Sequence, residues 1–182
     1  QILVIDLYDD SAGVVLGFGV ENAFAYPIRV KEAIVCEGLI PVSSEIQTAF
    51  TLNGEAGAGK TEVKPGVDRS CLNMGFLTFE TESGRCSITA GGLATYEFLK
   101  NVSYRRADEG IAFVLSASDP VGRRVDPGQT HIFKDRFYLD CVTQDAFVAL
   151  ETYAQKVKAV HQAGPKVYDF PTICGWATQN KG

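Results

Sequence analysis

Apolar and polar residues alternate through most of the first 141 residues, which is the pattern of strands that bury one face. The alternation predicts strands over residues 1–8, 13–20, 24–35, 46–52, 72–81, 85–89, 94–104, 110–117 and 131–141. Turn-forming residues separate them, namely Asp9-Asp10, Asn53-Gly54, Lys64-Pro65-Gly66, Ser83-Gly84, Gly91-Gly92, Asp119-Pro120 and Asp126-Pro127-Gly128. Roughly eight to ten short strands at this spacing indicate an antiparallel β-sandwich.

The pattern changes to steps of three and four residues after position 141, which predicts one amphipathic helix over residues 142–164. Thr143 is the expected N-cap, and Asp145 would complement the helix dipole in the first turn. Gly164-Pro165 is expected to end the helix. The predicted apolar stripe consists of Phe147, Leu150, Ala154, Val157 and Val160. No helix is predicted before residue 143.

The segment after this helix is mostly apolar, and residues 166–174 are predicted to be extended because Pro171 disfavours a helical conformation at Phe170. A lone strand after a long helix needs partners, and the sandwich offers no obvious place for it. Trp176, the only tryptophan, follows this segment. It either packs in a core or presents a flat platform to a sugar ring. The polar residues beside it are Thr178, Gln179 and Asn180.

Composition and charge narrow the classes of partner. The 182 residues are 46% hydrophobic and 21% charged, as in ordinary globular domains. The net charge is −5, and basic residues are paired only at Arg105-Arg106 and Arg123-Arg124, which argues against a nucleic-acid or anionic membrane surface. No apolar run approaches the roughly 18 residues of a membrane span. Gln1 in place of an initiator Met allows a processed or exported chain.

The residues that could carry catalysis or hold a metal lack a supporting arrangement. The cysteines at positions 36, 71, 86, 141 and 174 have no metal-binding spacing, and their odd number favours free buried thiols. His131 and His161 have no second ligand nearby, and His161 is expected to be an exposed cation at the helix C-terminus. Carboxylates such as Asp108-Glu109, Asp119 and Asp126 are more typical of turns than of a glycosidase acid pair. No catalytic residue, metal or cofactor is therefore predicted within the chain.

Residues 54–61 (GEAGAGKT) match the phosphate-binding loop pattern GxxxxGK[ST] letter for letter. That mechanism requires a helix to begin at Lys60-Thr61, and Pro65-Gly66 would end such a helix within a turn. The surroundings also lack the alternating helices and parallel strands of a nucleotide-binding fold. We therefore interpret the motif as a hairpin loop that does not bind nucleotide.

Four short motifs make the chain resemble the clan of retaining α-glycosidases that holds the α-galactosidases of the melibiase and raffinose-synthase type. Residues 73–78 (NMGFLT) are similar to its GFL strand. Residues 125–128 (VDPG) followed by 135–139 (DRFYL) resemble its lead into the linking helix, and residues 149–154 (ALETYA) resemble that helix. Residues 171–178 (PTICGWAT) resemble its first barrel strand. The order of the four motifs is a stronger signal than any one of them.

The resemblance implies an N-terminal β-supersandwich (residues 1–141), a linking helix (142–164) and the first strand of a catalytic (β/α)8 barrel (165–182). Trp176 and Asn180 would then contact the substrate, Asn180 standing where some members have a sugar-binding Asp. The expected function is the non-catalytic N-terminal part of an α-galactosidase-like enzyme, whose partners are an α-glycoside and its own downstream barrel. The alternative is a free-standing carbohydrate-binding or structural sandwich, which would have no use for the helix and the terminal segment.

Overall fold

The computed structural model describes residues 1–8, 12–42, 46, 48–52, 60–66, 68–72, 74–81, 84–94 and 96–162. These residues form eleven strands and one helix. The strands are β1 (Ile2–Leu7), β2 (Val14–Glu21), β3 (Ile28–Pro41), β4 (Thr48–Leu52), β5 (Lys60–Glu62), β6 (Arg69–Leu72), β7 (Met74–Thr81), β8 (Gly84–Ala94), β9 (Leu99–Ala107), β10 (Gly110–Val125) and β11 (Thr130–Asp140). The helix, α1, is Ala146–His161.

The strands form two sheets, and every pairing between these named strands is antiparallel. One sheet has seven strands in the order β1-β2-β11-β8-β7-β4-β5, and the other has four in the order β3-β10-β9-β6. The protein is therefore mainly β with antiparallel sheets and one helix in its described part, as the sequence predicts.

One apolar core is shared by both sheets, as expected for a β-sandwich. On β10, Ile111, Phe113, Leu115 and Ala117 are buried, whereas the residues that alternate with them, Ala112, Val114 and Ser116, are only half-buried. The seven-stranded sheet contributes inward-facing residues to the same core, among them Phe18, Leu77, Ile88 and Phe137. The alternation in the sequence thus corresponds to strands with one face on the core.

Two predicted turns lie inside strands instead. Gly91-Gly92 belongs to β8 and makes room for neighbours: a Cβ on Gly91 would lie 2.7 Å from the Tyr153 hydroxyl oxygen, and one on Gly92 would lie 2.1 Å from Cδ of Lys100. Asp119-Pro120 belongs to β10, at a point where the register against β3 shifts. Such a bulge tolerates a proline, which has no N–H for a ladder bond.

Other boundaries differ because local contacts prevail over the apolar pattern. β3 begins at Ile28 rather than at residue 24, because Asn22 holds the preceding residues in a loop. β5 and β6 escape prediction because three or four residues are too few to show an alternation. The predicted hairpin is confirmed by the antiparallel pairing of β7 with β8, which extends to Thr81 and Gly84, whereas Ser83 lies outside the described residues. The turn at residues 126–128 is confirmed by the bond from Gln129 N–H to the Asp126 carbonyl (3.1 Å).

The helix begins later than predicted, and its N-cap is Asp145 rather than Thr143. Asp145 Oδ1 accepts hydrogen bonds from the N–H groups of Phe147 (2.8 Å) and Val148 (3.1 Å), which satisfies two donors of the first turn. The Thr143 hydroxyl donates to Asp140 Oδ2 instead (2.7 Å), so it is not available as a cap. The helix ends with Gln162 in the left-handed region at φ 49°. Gly164-Pro165, the predicted end, lies outside the described residues.

The predicted apolar stripe of α1 is confirmed only in part, because Leu150 and Val157 are half-buried whereas Phe147, Ala154 and Val160 are exposed. Phe147 is 81% exposed and Val160 is 42% exposed, whereas the residue that α1 buries completely is Ala149. Tyr153 and Val157 pack against a small cluster on the outer face of the larger sheet, formed by Val15, Leu93 and Tyr138. The Tyr153 hydroxyl donates to the Gly92 carbonyl (2.8 Å), and this bond fixes the rotation of the helix about its axis.

Three connections meet at one end of the sandwich, which we call the loop end: residues 22–27, 96–98 and 126–129. Adjacent connections are bonded to each other, since Asn22 N–H donates to the Gln129 carbonyl (2.9 Å). The helix α1 runs along β8 toward this end. The carbonyl of Thr143, in the approach to the helix, accepts a hydrogen bond from Ser87 near the beginning of β8. At the other end of the helix, His161 bonds to the Leu93 carbonyl near the end of β8.

Candidate functional site

The loop end is the candidate functional site of the described residues, because the chain leaves α1 there. Gln162 follows His161, whose Nε2 lies 2.9 Å from the Leu93 carbonyl oxygen. The segment that starts at residue 163 includes Trp176 and Asn180, the two residues predicted to contact sugar. Both lie outside the described residues and remain predictions.

Asn22 holds the connection between β2 and β3 in one conformation. Its side chain is fully buried, and its Nδ2 donates to the carbonyls of Tyr26 (2.9 Å) and Val125 (3.0 Å). Its Oδ1 accepts the N–H of Phe24 (3.0 Å). A buried amide that satisfies both its donors and its acceptor within the loop makes other loop conformations costly, because they would leave these groups unpaired.

The same connection presents two aromatic rings to solvent. Phe24 and Tyr26 are 57% and 60% exposed, and their ring centroids lie 5.3 Å apart with the planes 20° from parallel. Pro27 follows Tyr26 and favours an extended backbone at that residue. Stacked rings on a fixed loop form a preformed apolar surface at the loop end. Tyr96, on the next connection, is also exposed (56%).

A buried ion pair fixes the connection before β9. Lys100 Nζ lies 2.6 Å from Asp135 Oδ1, and both side chains are completely buried. Asp135 also accepts the backbone N–H groups of Tyr96 (3.2 Å), Glu97 (3.0 Å) and Phe98 (3.4 Å). Burial lowers the pKa of Lys100 from its ordinary value, although the contact with Asp135 opposes the shift. The pair therefore anchors residues 96–98 to β11 from beneath.

The carboxylates at the loop end are engaged by arginines. Arg123 Nε lies 3.2 Å from Asp119 Oδ2 and 3.8 Å from Glu97 Oε2. Arg124 Nη2 lies 2.7 Å from Asp126 Oδ1, and Asp126 also begins the turn before β11. Carboxylates held in this way stabilise connections, and they do not resemble a nucleophile and an acid that face each other across an open site. Asp126 begins a turn, as predicted, whereas Asp119 lies within β10 and not in a turn.

A second buried carboxylate organises the opposite end, where α1 begins. Asp140 accepts the N–H groups of Val142 (2.9 Å) and Thr143 (3.0 Å), and the Thr143 hydroxyl (2.7 Å). Burial by itself would raise the pKa of Asp140, but these hydrogen bonds, together with one from Tyr138, outweigh it and hold the pKa below the ordinary value. Asp140 therefore acts as a structural anchor for the approach to the helix.

The histidines and cysteines offer no catalytic arrangement in the described residues. His131 packs edge-on against Phe133, and His161 is exposed on the last helical turn as predicted. The cysteines at positions 36, 86 and 141 are free, as predicted, but half-buried. Burial, followed by the proximity of Asp140 and Cys36, raises the pKa of the Cys141 thiol to about 12, which makes it a poor nucleophile. No group of three potential metal ligands occurs among the residues that the structure describes.

The phosphate-loop pattern is only partly within the described residues, which exclude residues 53–59. Lys60 and Thr61 lie in strand β5, paired with Leu52 and Thr51 of β4. A phosphate loop needs a helix N-terminus at this position, so the structural requirement is not met. The antiparallel pairing of β4 with β5 agrees with the hairpin interpretation.

Two features of the loop end are not predicted from the sequence, namely the buried Lys100–Asp135 pair and the exposed Phe24–Tyr26 pair. The sequence does hold a signal for the buried pair. Lys100 stands on the same face of its strand as Val102, and Asp135 on the same face as Phe133 and Phe137. Opposite charges at two core-facing positions could have predicted the buried pair. The Phe24–Tyr26 pair is missed because its apolar residues were counted as part of a strand.

No protein family matches the chain, and no curated protein matches it at a significant level. In the described part of the chain, no helix has the length and apolar character needed to cross a membrane.

Proposed function

We propose that the chain is the N-terminal, non-catalytic part of a retaining α-glycosidase of the α-galactosidase type, and that its catalytic barrel follows. The order of the elements supports this proposal. A mainly β domain comes first, one helix follows it, and the motif resembling a first barrel strand comes after that helix at residues 171–178. This order is the one that the resemblance implies.

The course of α1 is the observation that carries the proposal. The helix packs its Ala149, Tyr153 and Val157 side on the larger sheet and ends at the loop end, where it is bonded to Leu93. The helix is therefore packed on the sandwich, and the chain leaves it at the loop end. Phe147 and Val148, 81% and 53% exposed, leave apolar surface on its outward side for a following domain.

In the proposed enzyme the chemistry belongs to two carboxylates of the barrel. One attacks the anomeric carbon and the other protonates the leaving oxygen, with the carboxyl groups about 5–5.5 Å apart. Trp176 would face the sugar ring, and Asn180 would donate or accept a hydrogen bond with a sugar hydroxyl. The role of the sandwich is to support the barrel.

The test of Trp176 uses the protein extended through the reading frame that follows Gly182. Trp176→Ala is expected to lower kcat/KM on an aryl α-galactoside by at least tenfold, because stacking on the sugar is lost. Leu39→Ala is the control, since Leu39 is exposed on β3 of the four-stranded sheet, whereas α1 packs on the other sheet, and it should leave kcat/KM within about twofold. If kcat/KM is equal for Trp176→Ala and the parent, Trp176 does not contact the sugar and the core-packing interpretation is preferred.

A further inference from the structure

The exposed aromatic pair Phe24–Tyr26 has no role in stabilising the sandwich core. Both rings are more than half exposed, and neither belongs to the apolar core shared by the sheets. The loop beneath them is nevertheless held by all the hydrogen bonds of the buried Asn22 amide described above. A rigid loop that presents rings to water loses little conformational entropy when a ligand binds them.

Polar side chains lie on the connection next to the loop that carries the two rings. The N–H of Gly128 donates to the Asn22 carbonyl (2.8 Å), which places residues 126–129 directly beside the aromatic loop. Asp126 on that connection forms an exposed ion pair with Arg124 at the end of β10, and Gln129 is exposed. Guanidinium, carboxylate and amide groups are planar and can each contact two neighbouring hydroxyl groups of a ligand.

The exposed area of the two rings indicates which class of ligand they can bind. A Phe or Tyr ring system offers about 150–250 Å², so two rings at 57% and 60% exposure present roughly 250 Å² in total. A stable protein partner requires about 800 Å² on each side. One or two pyranose rings match the smaller area, and their axial C–H groups form the flat apolar face that stacks on an aromatic ring.

We propose that the stacked Phe24–Tyr26 pair is a sugar-binding platform on whose outer face a hexopyranose ring stacks. The exposed Arg124–Asp126 ion pair and the amide nitrogen of Gln129, whose oxygen accepts the Asp126 N–H (3.3 Å), would contact its hydroxyl groups. This site belongs to the sandwich alone and is distinct from the proposed contacts of Trp176 and Asn180. Sugar binding at this site does not require a downstream barrel, so its test is independent of the test of the proposed glycosidase function.

The experiment uses the ¹⁵N-labelled 182-residue chain titrated with methyl α-glycosides of galactose, glucose and mannose, and with raffinose. With at least one of these sugars, the amide signals of residues 22–26 and of Asp126, Gly128 and Gln129 should shift in a saturable manner. Phe24→Ala and Tyr26→Ala should each weaken the fitted affinity by about tenfold. Phe147→Ala replaces a still more exposed ring at the beginning of α1, away from the loop end, and should leave the affinity unchanged.

Two results would overturn the platform. The first is that none of the sugars produces saturable shifts at residues 22–26. The titration is continued to the highest sugar concentration at which the viscosity of the solution still permits NMR spectra. The second is binding that Phe147→Ala weakens as much as Phe24→Ala does. Because both rings are exposed, the variants should unfold at the temperature of the parent, and this is checked by circular dichroism. Activity of the extended enzyme on an aryl glycoside tests the proposed function separately.

Discussion

Replacing Lys100 by methionine tests whether the buried ion pair anchors the loop end. The substitution keeps the length of the side chain and removes the charge, so Asp135 loses a partner at 2.6 Å in a completely buried position. Removing one member of a buried pair costs about 3–5 kcal/mol. Three backbone N–H groups, those of Tyr96, Glu97 and Phe98, still donate to the carboxylate and compensate part of its charge. We therefore expect a loss near the lower limit, about 3 kcal/mol.

The free energy of unfolding is measured by urea denaturation at pH 7, followed by circular dichroism. For a chain of this size each kcal/mol corresponds to about 2–4 °C, so the melting temperature should fall by about 6–12 °C. Lys134→Met is the matched control, because Lys134 precedes Asp135 but is exposed, and it should change stability by less than about 0.5 kcal/mol. In the double variant Lys100→Met/Asp135→Asn the unpaired charge is gone, and part of the loss should be recovered. A Lys100→Met protein as stable as Lys134→Met would refute the argument.

Two further predictions concern the approach to α1. Asp145→Ala removes the N-cap that accepts from Phe147 and Val148 and should cost about 1 kcal/mol in urea denaturation; an unchanged midpoint would show that the cap contributes nothing. The pKa of Asp140 is lower in the folded than in the unfolded state, so its carboxylate stabilises the fold above the unfolded pKa of about 3.9 and this contribution is lost as pH falls through the folded pKa. Asp140→Asn should therefore lose less stability than the parent between about pH 4 and pH 2, and parallel pH profiles would contradict this assignment.

The strands were predictable because burial of one sheet face forces a period of two. Ile111, Leu115 and Ala117 show this period in the sequence, and the structure buries all three. The same rule cannot distinguish a glycine in a turn from a glycine in a strand that leaves space for a neighbouring side chain. Gly91-Gly92 lies within β8 for the second reason, since Tyr153 and Lys100 occupy the space beside it, and neither contact is visible in the local sequence.

The rotation of α1 was not predictable from apolar spacing. Phe147 and Leu150 fit a helical period as well as Ala149 and Tyr153 do. The choice depends on a tertiary hydrogen bond, from the Tyr153 hydroxyl to the Gly92 carbonyl, which no helical pattern encodes. The N-cap was misplaced for a similar reason, because Asp140 engages the Thr143 hydroxyl first.

The candidate site was predicted only in part. The turn at residues 126–128 was identified from its Asp-Pro-Gly sequence, because those residues have strong local preferences. The aromatic pair on residues 24 and 26 was not, since its exposure depends on the bonds of Asn22 to distant carbonyls such as that of Val125. Trp176 and Asn180 stay predictions, and Trp176→Ala tests the first of them.

The most direct test of the proposed function compares the isolated 182-residue chain with the same chain extended through the downstream reading frame. Both are incubated with aryl α-galactosides and other aryl α-glycosides, and the anomeric configuration of the first product is followed by ¹H NMR. The account predicts no turnover by the isolated chain, and hydrolysis with retention of configuration by the extended protein. Turnover by the isolated chain, or an extended protein that hydrolyses none of these α-glycosides, would contradict it.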